Sequence, residues 1–161
     1  MLKKEQTKSA AQAIHTFAES DEHQPLKRTQ LLAPYLQHLG KCYIEQGFAF
    51  STGLNLSIED EVFINHNVWI DDRQPVSIEA GAFIGPNCEL VTQTDTTSGS
   101  ISIGPRAWLG ANVKVYPGVK IGEGAIIGAG ATLISDVAAH ATLIQGDVAV
   151  SFKHSTGHSE R

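Results

Sequence analysis

The chain has few cysteines, no long apolar run and no excess of basic residues, and each of these absences excludes a class of protein. Two cysteines among 161 residues are too few for a disulfide framework. No apolar run reaches the roughly 18 residues that a membrane-spanning helix needs. Twelve Lys and Arg against 17 Asp and Glu give a net charge of −5, which argues against nucleic acid as the main partner. We therefore expect a cytoplasmic protein with no membrane span and no nucleic-acid partner.

What the sequence does contain, from residue 58 onwards, is a six-residue repeat. An Ile, Leu or Val occupies all twelve positions of the repeat, which slips by two residues before Ile78 and by seven before Ile103. The twelve positions are Ile58, Ile64, Ile70, Ile78, Ile84, Leu90, Ile103, Leu109, Val115, Ile121, Ile127 and Leu133. Four residues after each there is usually a small or β-branched residue, for example Val62, Ala82 and Thr94. This period does not fit a helix, but it fits short strands joined by tight turns.

Three such repeats would form one triangular coil, and successive coils would stack at about 4.8 Å, the usual spacing of strands. The sequence therefore predicts an all-β solenoid, a parallel β-helix of about four coils. We expect this β-helix domain over residues 42–150, an N-terminal helical segment over 1–41 and a polar C-terminal tail over 151–161.

Two helices are predicted in the N-terminal segment. Residues 2–19 carry an apolar stripe at helical spacing. Residues 26–39 place Leu32, Leu36 and Leu39 on one side. Pro34 should kink or split this second helix, and Gly40 should end it.

Four aromatic residues share one phase of the repeat, which points outward. They are Phe63, Trp69, Phe83 and Trp108. Four outward aromatic side chains at one phase suggest that they pack against helices or other subunits.

A series of motifs along the repeat resembles one known family. They include Phe63-Ile64-Asn65-His66-Asn67, Asp71-Asp72, Ile84-Gly85-Pro86-Asn87, Ala107-Trp108-Leu109-Gly110 and Tyr116-Pro117-Gly118-Val119. In this order they resemble the maltose, galactoside and nodulation-factor O-acetyltransferases of the hexapeptide-repeat superfamily, over about residues 3–153. The resemblance implies a left-handed β-helix and a homotrimer whose sites lie in grooves between neighbouring subunits. It also implies that a His takes the proton from a sugar hydroxyl, which then attacks the thioester of acetyl-CoA.

The resemblance also assigns roles to individual residues. The positions that match acceptor-binding residues of the family are Ser51, Asn65 and Asp72. The positions that match the residues along the CoA arm are Trp108, Ala111 and Ala129, and Lys153 matches a basic residue at the nucleotide end.

The chain departs from the family at the catalytic position, where the family His aligns with Asp95. The loop that follows is much shorter here, a family Lys aligns with Ser135 and a family Arg with Val150. A carboxylate with a pKa near 3.9 is a weak base toward a hydroxyl, so Asp95 is either the working base or a structural Asp at a turn. His66 lies in the acceptor region and is the alternative base, or a solvated surface residue.

We expect no catalytic metal, because His66 is the one His within the coils and the two cysteines, Cys42 and Cys88, are single. Two functions remain open. The first is an acetyl-CoA-dependent O-acetyltransferase that acts on a sugar or another small hydroxyl acceptor. The alternative is a catalytically silent trimeric scaffold, or a relative that binds a ligand or partner.

Overall fold

The N-terminal segment contains two helices and a short turn before the strands begin. In the computed structural model, which describes the backbone of residues 2–144 and the side chains of 9–144, α1 spans Leu2–Ala18 and α2 spans Pro25–Gln30. A 3₁₀ turn, Ala33–Tyr35, follows and contains Pro34, whose missing N–H favours a break in the helix. The predicted helix over 26–39 is therefore split, and it is wrong at its end, because His38–Leu39 forms a strand that pairs with Ser57 and Ile58.

Within the described residues the chain forms sixteen short strands in three parallel sheets, and each coil contributes one strand to each sheet. The first sheet contains β1 (His38–Leu39), β4 (Leu56–Ile58), β7 (Val76–Ile78), β10 (Ile101–Ile103) and β13 (Lys120–Ile121). The second sheet contains β2 (Tyr43–Ile44), β5 (Phe63–Ile64), β8 (Phe83–Ile84), β11 (Trp108–Leu109), β14 (Ile126–Ile127) and β16 (Thr142–Leu143). The third sheet contains β3 (Ala49–Phe50), β6 (Trp69–Asp71), β9 (Glu89–Val91), β12 (Lys114–Val115) and β15 (Thr132–Leu133).

The solenoid has five coils and the start of a sixth, one coil more than the repeat predicts. The additional coil is the first one, in which Phe50 lies in register with Ile70 of the next coil. A regular coil has 18 residues, as between the paired Ile103 and Ile121. Ile78 pairs with Ile103 across 25 residues, because the seven-residue slip forms a hairpin at this point. The division into domains at residues 41 and 150 stays a prediction.

The repeat predicts the core correctly. All twelve aliphatic positions are buried, and none is more than 2% exposed. The smaller set of residues fills the remaining interior, except that Thr94 is half-buried and belongs to the hairpin instead. At the N-terminal end Ala13 and Phe17 of α1 are buried in the same core, so this helix caps the first coil.

Three corners connect the sheets, and they position the side chains discussed below. The first corner connects the first sheet to the second, the second corner connects the second sheet to the third, and the third corner leads to the next coil. At the second corner Asn67, Asn87 and Asn112 adopt φ angles of 57°, 59° and 57°. Asn tolerates this left-handed region better than most residues, so these three coils turn at the same place; in the first and fifth coils Gly47 and Gly130 turn there with φ angles of 81° and 77°.

The outward aromatic residues of the second sheet form a ladder, and Tyr43 extends it into the first coil. Tyr43 stacks on Phe63 with ring centroids 5.3 Å apart, and Phe63 stacks on Phe83 at 5.1 Å. Trp108 continues the ladder at 4.7 Å from Phe83, tilted by 35°, and is 53% exposed. Trp69 lies on the third sheet instead, beside Ala49 and Glu89 of the adjacent coils. Stacked rings at this spacing stabilise the sheet and present mainly their edges to the outside.

Candidate functional site

Two of the predicted acceptor residues, Ser51 and Asp72, meet at the third corner. The Ser51 hydroxyl donates to Asp72 Oδ1 at 2.8 Å and accepts the Asp72 backbone N–H at 2.9 Å. The same carboxylate accepts the Thr52 N–H at 2.6 Å, the Thr52 hydroxyl at 2.6 Å and the Asn55 N–H at 3.2 Å. We call Ser51, Thr52, Asn55 and Asp72 the Asp72 cluster. Because Asp72 is fully buried and both of its oxygens accept hydrogen bonds, its contribution is to hold residues 51–55 in place.

The neighbouring Asp71 forms a second charged contact at this corner. Arg73 donates from Nε and Nη2 to the two oxygens of Asp71, both at 2.8 Å, in the bidentate geometry that makes such pairs strong. The Ser51 hydroxyl also lies 3.3 Å from Asp71 Oδ1. Burial raises the pKa of the Asp71 carboxyl, but the hydrogen bonds from Arg73 and Ser51 outweigh it and hold this pKa below its ordinary value. Asp71 is therefore ionised at neutral pH.

Asp95 lies at the tip of the hairpin that interrupts the third corner. Gln93 pairs with Ser98 in an antiparallel bridge, and the Thr94 N–H donates to the Thr97 carbonyl at 2.8 Å. This places Asp95 in an exposed turn, where its carboxylate makes no hydrogen bond to any residue between 9 and 144. The hairpin brings Asp95 to the same corner as Ser51 and Asp72, but Asp95 forms no hydrogen bond with either.

Asn65 and His66 lie at the second corner instead, directly after β5. The Asn65 side-chain oxygen accepts the His66 backbone N–H at 2.8 Å. His66 is 54% exposed, and its Nε2 lies 3.7 Å from Glu45 Oε2 in the coil below. Glu45 is in turn 3.7 Å from Nη2 of the buried Arg28. The His66 ring therefore faces a carboxylate, an arrangement that can orient an imidazole.

The predicted cofactor-side residues follow the second corner along the axis of the solenoid. Ala111 follows Trp108 by three residues, and its carbonyl accepts the Gly130 N–H of the next coil at 2.8 Å. Ala129 lies one coil above Ala111. The two coils are in close contact here, because a Cβ on Gly110 would lie 2.7 Å from the backbone nitrogen of Ala129. These two small residues thus follow the same corner on successive coils, where Ala111 is half-buried and Ala129 is exposed. Lys153, like Val150 and the predicted tail over 151–161, lies outside the described residues.

Neither cysteine has the properties of a nucleophile. Burial raises the pKa of the Cys88 thiol to about 11 and that of Cys42 to about 12, so both stay protonated. Among residues 9–144, no three His, Cys, Asp or Glu side chains come together as a group that could hold a metal ion. No helix found between residues 2 and 144 has the length and apolar character to cross a membrane.

Comparisons with known proteins place this arrangement in a family. The family model described as bacterial transferase hexapeptide (six repeats) matches residues 100–135. The candidate acetyltransferase YJL218W of Saccharomyces cerevisiae is 30% identical over 149 residues, which cover 83% of this chain and 73% of that protein. The chain belongs to the hexapeptide-repeat acetyltransferase family.

Other members of this family extend the comparison. Galactoside O-acetyltransferase of Escherichia coli is 29% identical over 77% of this chain and 67% of its own length. A solved hexapeptide-repeat acetyltransferase of Vibrio cholerae, in complex with acetyl-CoA, superimposes with a TM-score of 0.77 at 25% identity, covering 86% of this chain and 81% of that one. The predicted fold is thus confirmed as the left-handed β-helix of these acetyltransferases, with an N-terminal helical segment. The curated relatives named here are longer, and the chain spans about two thirds to three quarters of their length.

The family resemblance indicates Ser51, Asn65 and Asp72, but it does not indicate the charged pairs beside them, Asp71 with Arg73 and Glu45 with Arg28. Asp71 and Arg73 are adjacent to Asp72 in the sequence, which indicates an ion pair. The sequence does not indicate that this pair lies next to Ser51 and the hairpin. Arg28 and Glu45 gave no signal, because Arg28 lies in a short helix whose place on the first coil depends on tertiary packing.

Proposed function

We propose that this protein transfers the acetyl group of acetyl-CoA to a hydroxyl group of a small acceptor such as a sugar. The observation that carries the proposal is the match across most of the chain to an acetyltransferase that was solved with acetyl-CoA. The retained Ser51 and Asp72, and the small residues Ala111 and Ala129 on successive coils of the second corner, support it.

The site in this proposal lies between neighbouring subunits of a homotrimer. Ser51, Asp72 and Asp95 belong to the third corner, whereas Asn65, Ala111 and Ala129 belong to the second corner of the same chain. A groove formed by two subunits would bring one corner of each chain together, and the partly exposed aromatic ladder offers apolar surface for such packing.

The reaction requires one proton acceptor. The acceptor oxygen attacks the thioester carbon, the carbon–sulfur bond breaks, and the hydroxyl proton passes by way of the base to the CoA thiolate, which leaves as the free thiol. Asp95 is our first choice as base, because the hairpin presents its carboxylate at the same corner as Ser51. His66 is the second choice, because its ring faces Glu45 and an imidazole titrates near neutral pH.

Calorimetry with acetyl-CoA, and with desulfo-CoA as a control, tests the cofactor half of the proposal. Binding in the micromolar range, about −8 kcal/mol, is expected. Release of free CoA thiol in the presence of a panel of sugars then tests the transfer, and sedimentation should give about three times 17.3 kDa.

Two matched pairs of variants assign the base. Asp95→Asn is compared with Asp136→Asn, an exposed Asp at the same corner, and His66→Gln with His38→Gln, a similarly exposed His that faces Glu59. Loss of transfer in only one of the two test variants identifies that residue as the base, and its matched control should keep full activity.

The alternative function is that of a catalytically silent trimeric relative. The exposed Asp95, with no hydrogen-bond partner among residues 9–144, favours it, because a carboxylate in water is a weak base. Absence of acetyl-CoA binding at millimolar concentration would support this alternative and contradict the transferase proposal.

A further inference from the structure

Arg73 contacts two parts of the third corner, the adjacent Asp71 and the Gln93 carbonyl of the hairpin. Its guanidinium binds both oxygens of Asp71, which is almost fully buried, while about half of the Arg73 side chain is exposed. Asp71 also accepts the Arg73 backbone N–H at 3.1 Å and faces the Ser51 hydroxyl. The Arg73 side chain is thus fixed on the solenoid beside the Asp72 cluster.

From this fixed position Arg73 reaches the hairpin. Its Nη2 donates to the Gln93 carbonyl at 3.1 Å, across 20 residues of sequence. A second bond supports the same connection, because the backbone N–H of Gln74 donates to Oγ1 of the buried Thr92 at 3.1 Å. Gln93 and Thr94 form the arm of the hairpin that leads directly to Asp95. One side chain therefore connects Ser51, through Asp71, with the segment that carries Asp95.

Part of this contact serves stability, because Arg73 compensates the charge of the buried Asp71. The bond to the Gln93 carbonyl is a separate feature, since Nε and Nη2 already pair with both oxygens of Asp71 without it. The geometry is specific, however, because a planar guanidinium can bind a carboxylate through two nitrogens and still donate to a carbonyl, which a lysine cannot do.

We propose that Arg73, held by Asp71, is a positioning residue that fixes the hairpin carrying Asp95 relative to Ser51. Its effect on catalysis rests on the proposed acetyl transfer, whereas its effect on the hairpin does not. Arg73 itself has no role as acid, base or nucleophile in this proposal.

Hydrogen exchange tests the hairpin without any assumption about activity. In Arg73→Gln the amides of Thr94 and Gly99, which close the hairpin, should exchange about fivefold faster, the factor expected from loss of one partly exposed charged hydrogen bond. The control is Arg106→Gln, because Arg106 is also an exposed arginine, paired with Glu123 at the first corner. Equal exchange in the two variants would overturn the proposal.

Kinetics test the consequence for catalysis. Arg73→Gln should lower kcat about tenfold or more and leave the KM for acetyl-CoA unchanged, because misplacement of a reacting group affects the chemical step. Arg73→Lys should stay impaired, and added guanidinium ion should restore part of the activity of Arg73→Ala. Full activity of Arg73→Gln would contradict the proposal. If the wild-type protein transfers no acetyl group, the proposed function fails and the exchange experiment alone decides whether Arg73 positions the hairpin.

Discussion

The most direct test of the structure is the replacement of Asp72 by Asn, which removes the charge but keeps the size. In the better orientation the amide oxygen replaces Oδ1 and still accepts from Ser51 and Thr52. The amide nitrogen then faces the Thr52 hydroxyl, which can rotate to accept, and the Asn55 N–H, which cannot. One backbone N–H therefore loses its acceptor, and we expect a loss of about 2 kcal/mol of folding free energy.

The matched control for this experiment is Asp136→Asn. Oδ1 of the exposed Asp136 accepts the Lys120 N–H at 2.8 Å, and an amide oxygen can do the same, so this change should stay within about 0.5 kcal/mol. Urea unfolding followed by tryptophan fluorescence gives both values at a common slope m. If the two variants are equally stable, Asp72 does not hold residues 51–55 as the structure indicates. If Asp72 holds residues 51–55 in place, Asp72→Asn should also raise the KM for the acceptor and leave the affinity for acetyl-CoA unchanged.

Three further predictions concern the backbone, the thiols and the buried charge. Gly85→Ala should destabilise the protein more than Gly118→Ala. A Cβ on Gly85 would lie 2.5 Å from the backbone of the adjacent coil, whereas a Cβ on Gly118, which has a φ of +84°, would have no atom within 4 Å. The midpoints of urea unfolding compare the stability of the two variants. The buried Cys88 thiol, with its pKa raised to about 11, should react with an alkylating reagent at pH 8 only after unfolding. The pKa of the Asp71 carboxyl is lowered in the folded state, so the ionised carboxylate stabilises the fold at pH values above its ordinary pKa. This stabilisation should disappear as the pH falls through the lower pKa of the folded protein. In measurements of the free energy of unfolding against pH, the decrease should be steeper for wild type than for Arg73→Gln.

The sequence predicts the solenoid well because its period is local and repeated. Each strand needs only one inward aliphatic residue, and every one of the twelve in the repeat is buried. The first coil escapes the pattern because Leu39 and Ile44 are five residues apart rather than six, so the period is not yet established there. The helix predicted over 26–39 does not extend to Leu39, because the pairing of His38 and Leu39 with β4 outweighs the helical spacing of the leucines.

The site is harder to predict because its contacts cross from one coil to another. Whether Arg73 reaches Gln93 depends on how the irregular coil stacks, and a slip of seven residues has no period from which this can be inferred. The family resemblance identifies Asp95 by alignment, but only the hairpin shows that its carboxylate is exposed. The roles of Asp95, His66 and the acceptor and cofactor residues stay predictions that the experiments above address.

The separation of the site residues over two corners leads to a last prediction, which mixing of subunits can test. Asp95 belongs to the third corner, whereas Trp108 lies in β11 of the second sheet, just before the second corner. If each site uses the third corner of one chain and the second corner of its neighbour, Asp95→Asn and Trp108→Ala chains should each be inactive alone. After unfolding and refolding together in equal amounts, about a quarter of the interfaces should combine two intact halves, because either kind of chain fills each position at random. Recovery of about a quarter of the wild-type rate would support a shared site, with refolded single variants as controls. No recovery, from mixed trimers shown to have formed, would mean that each chain contains its whole site and that the two corners do not act together.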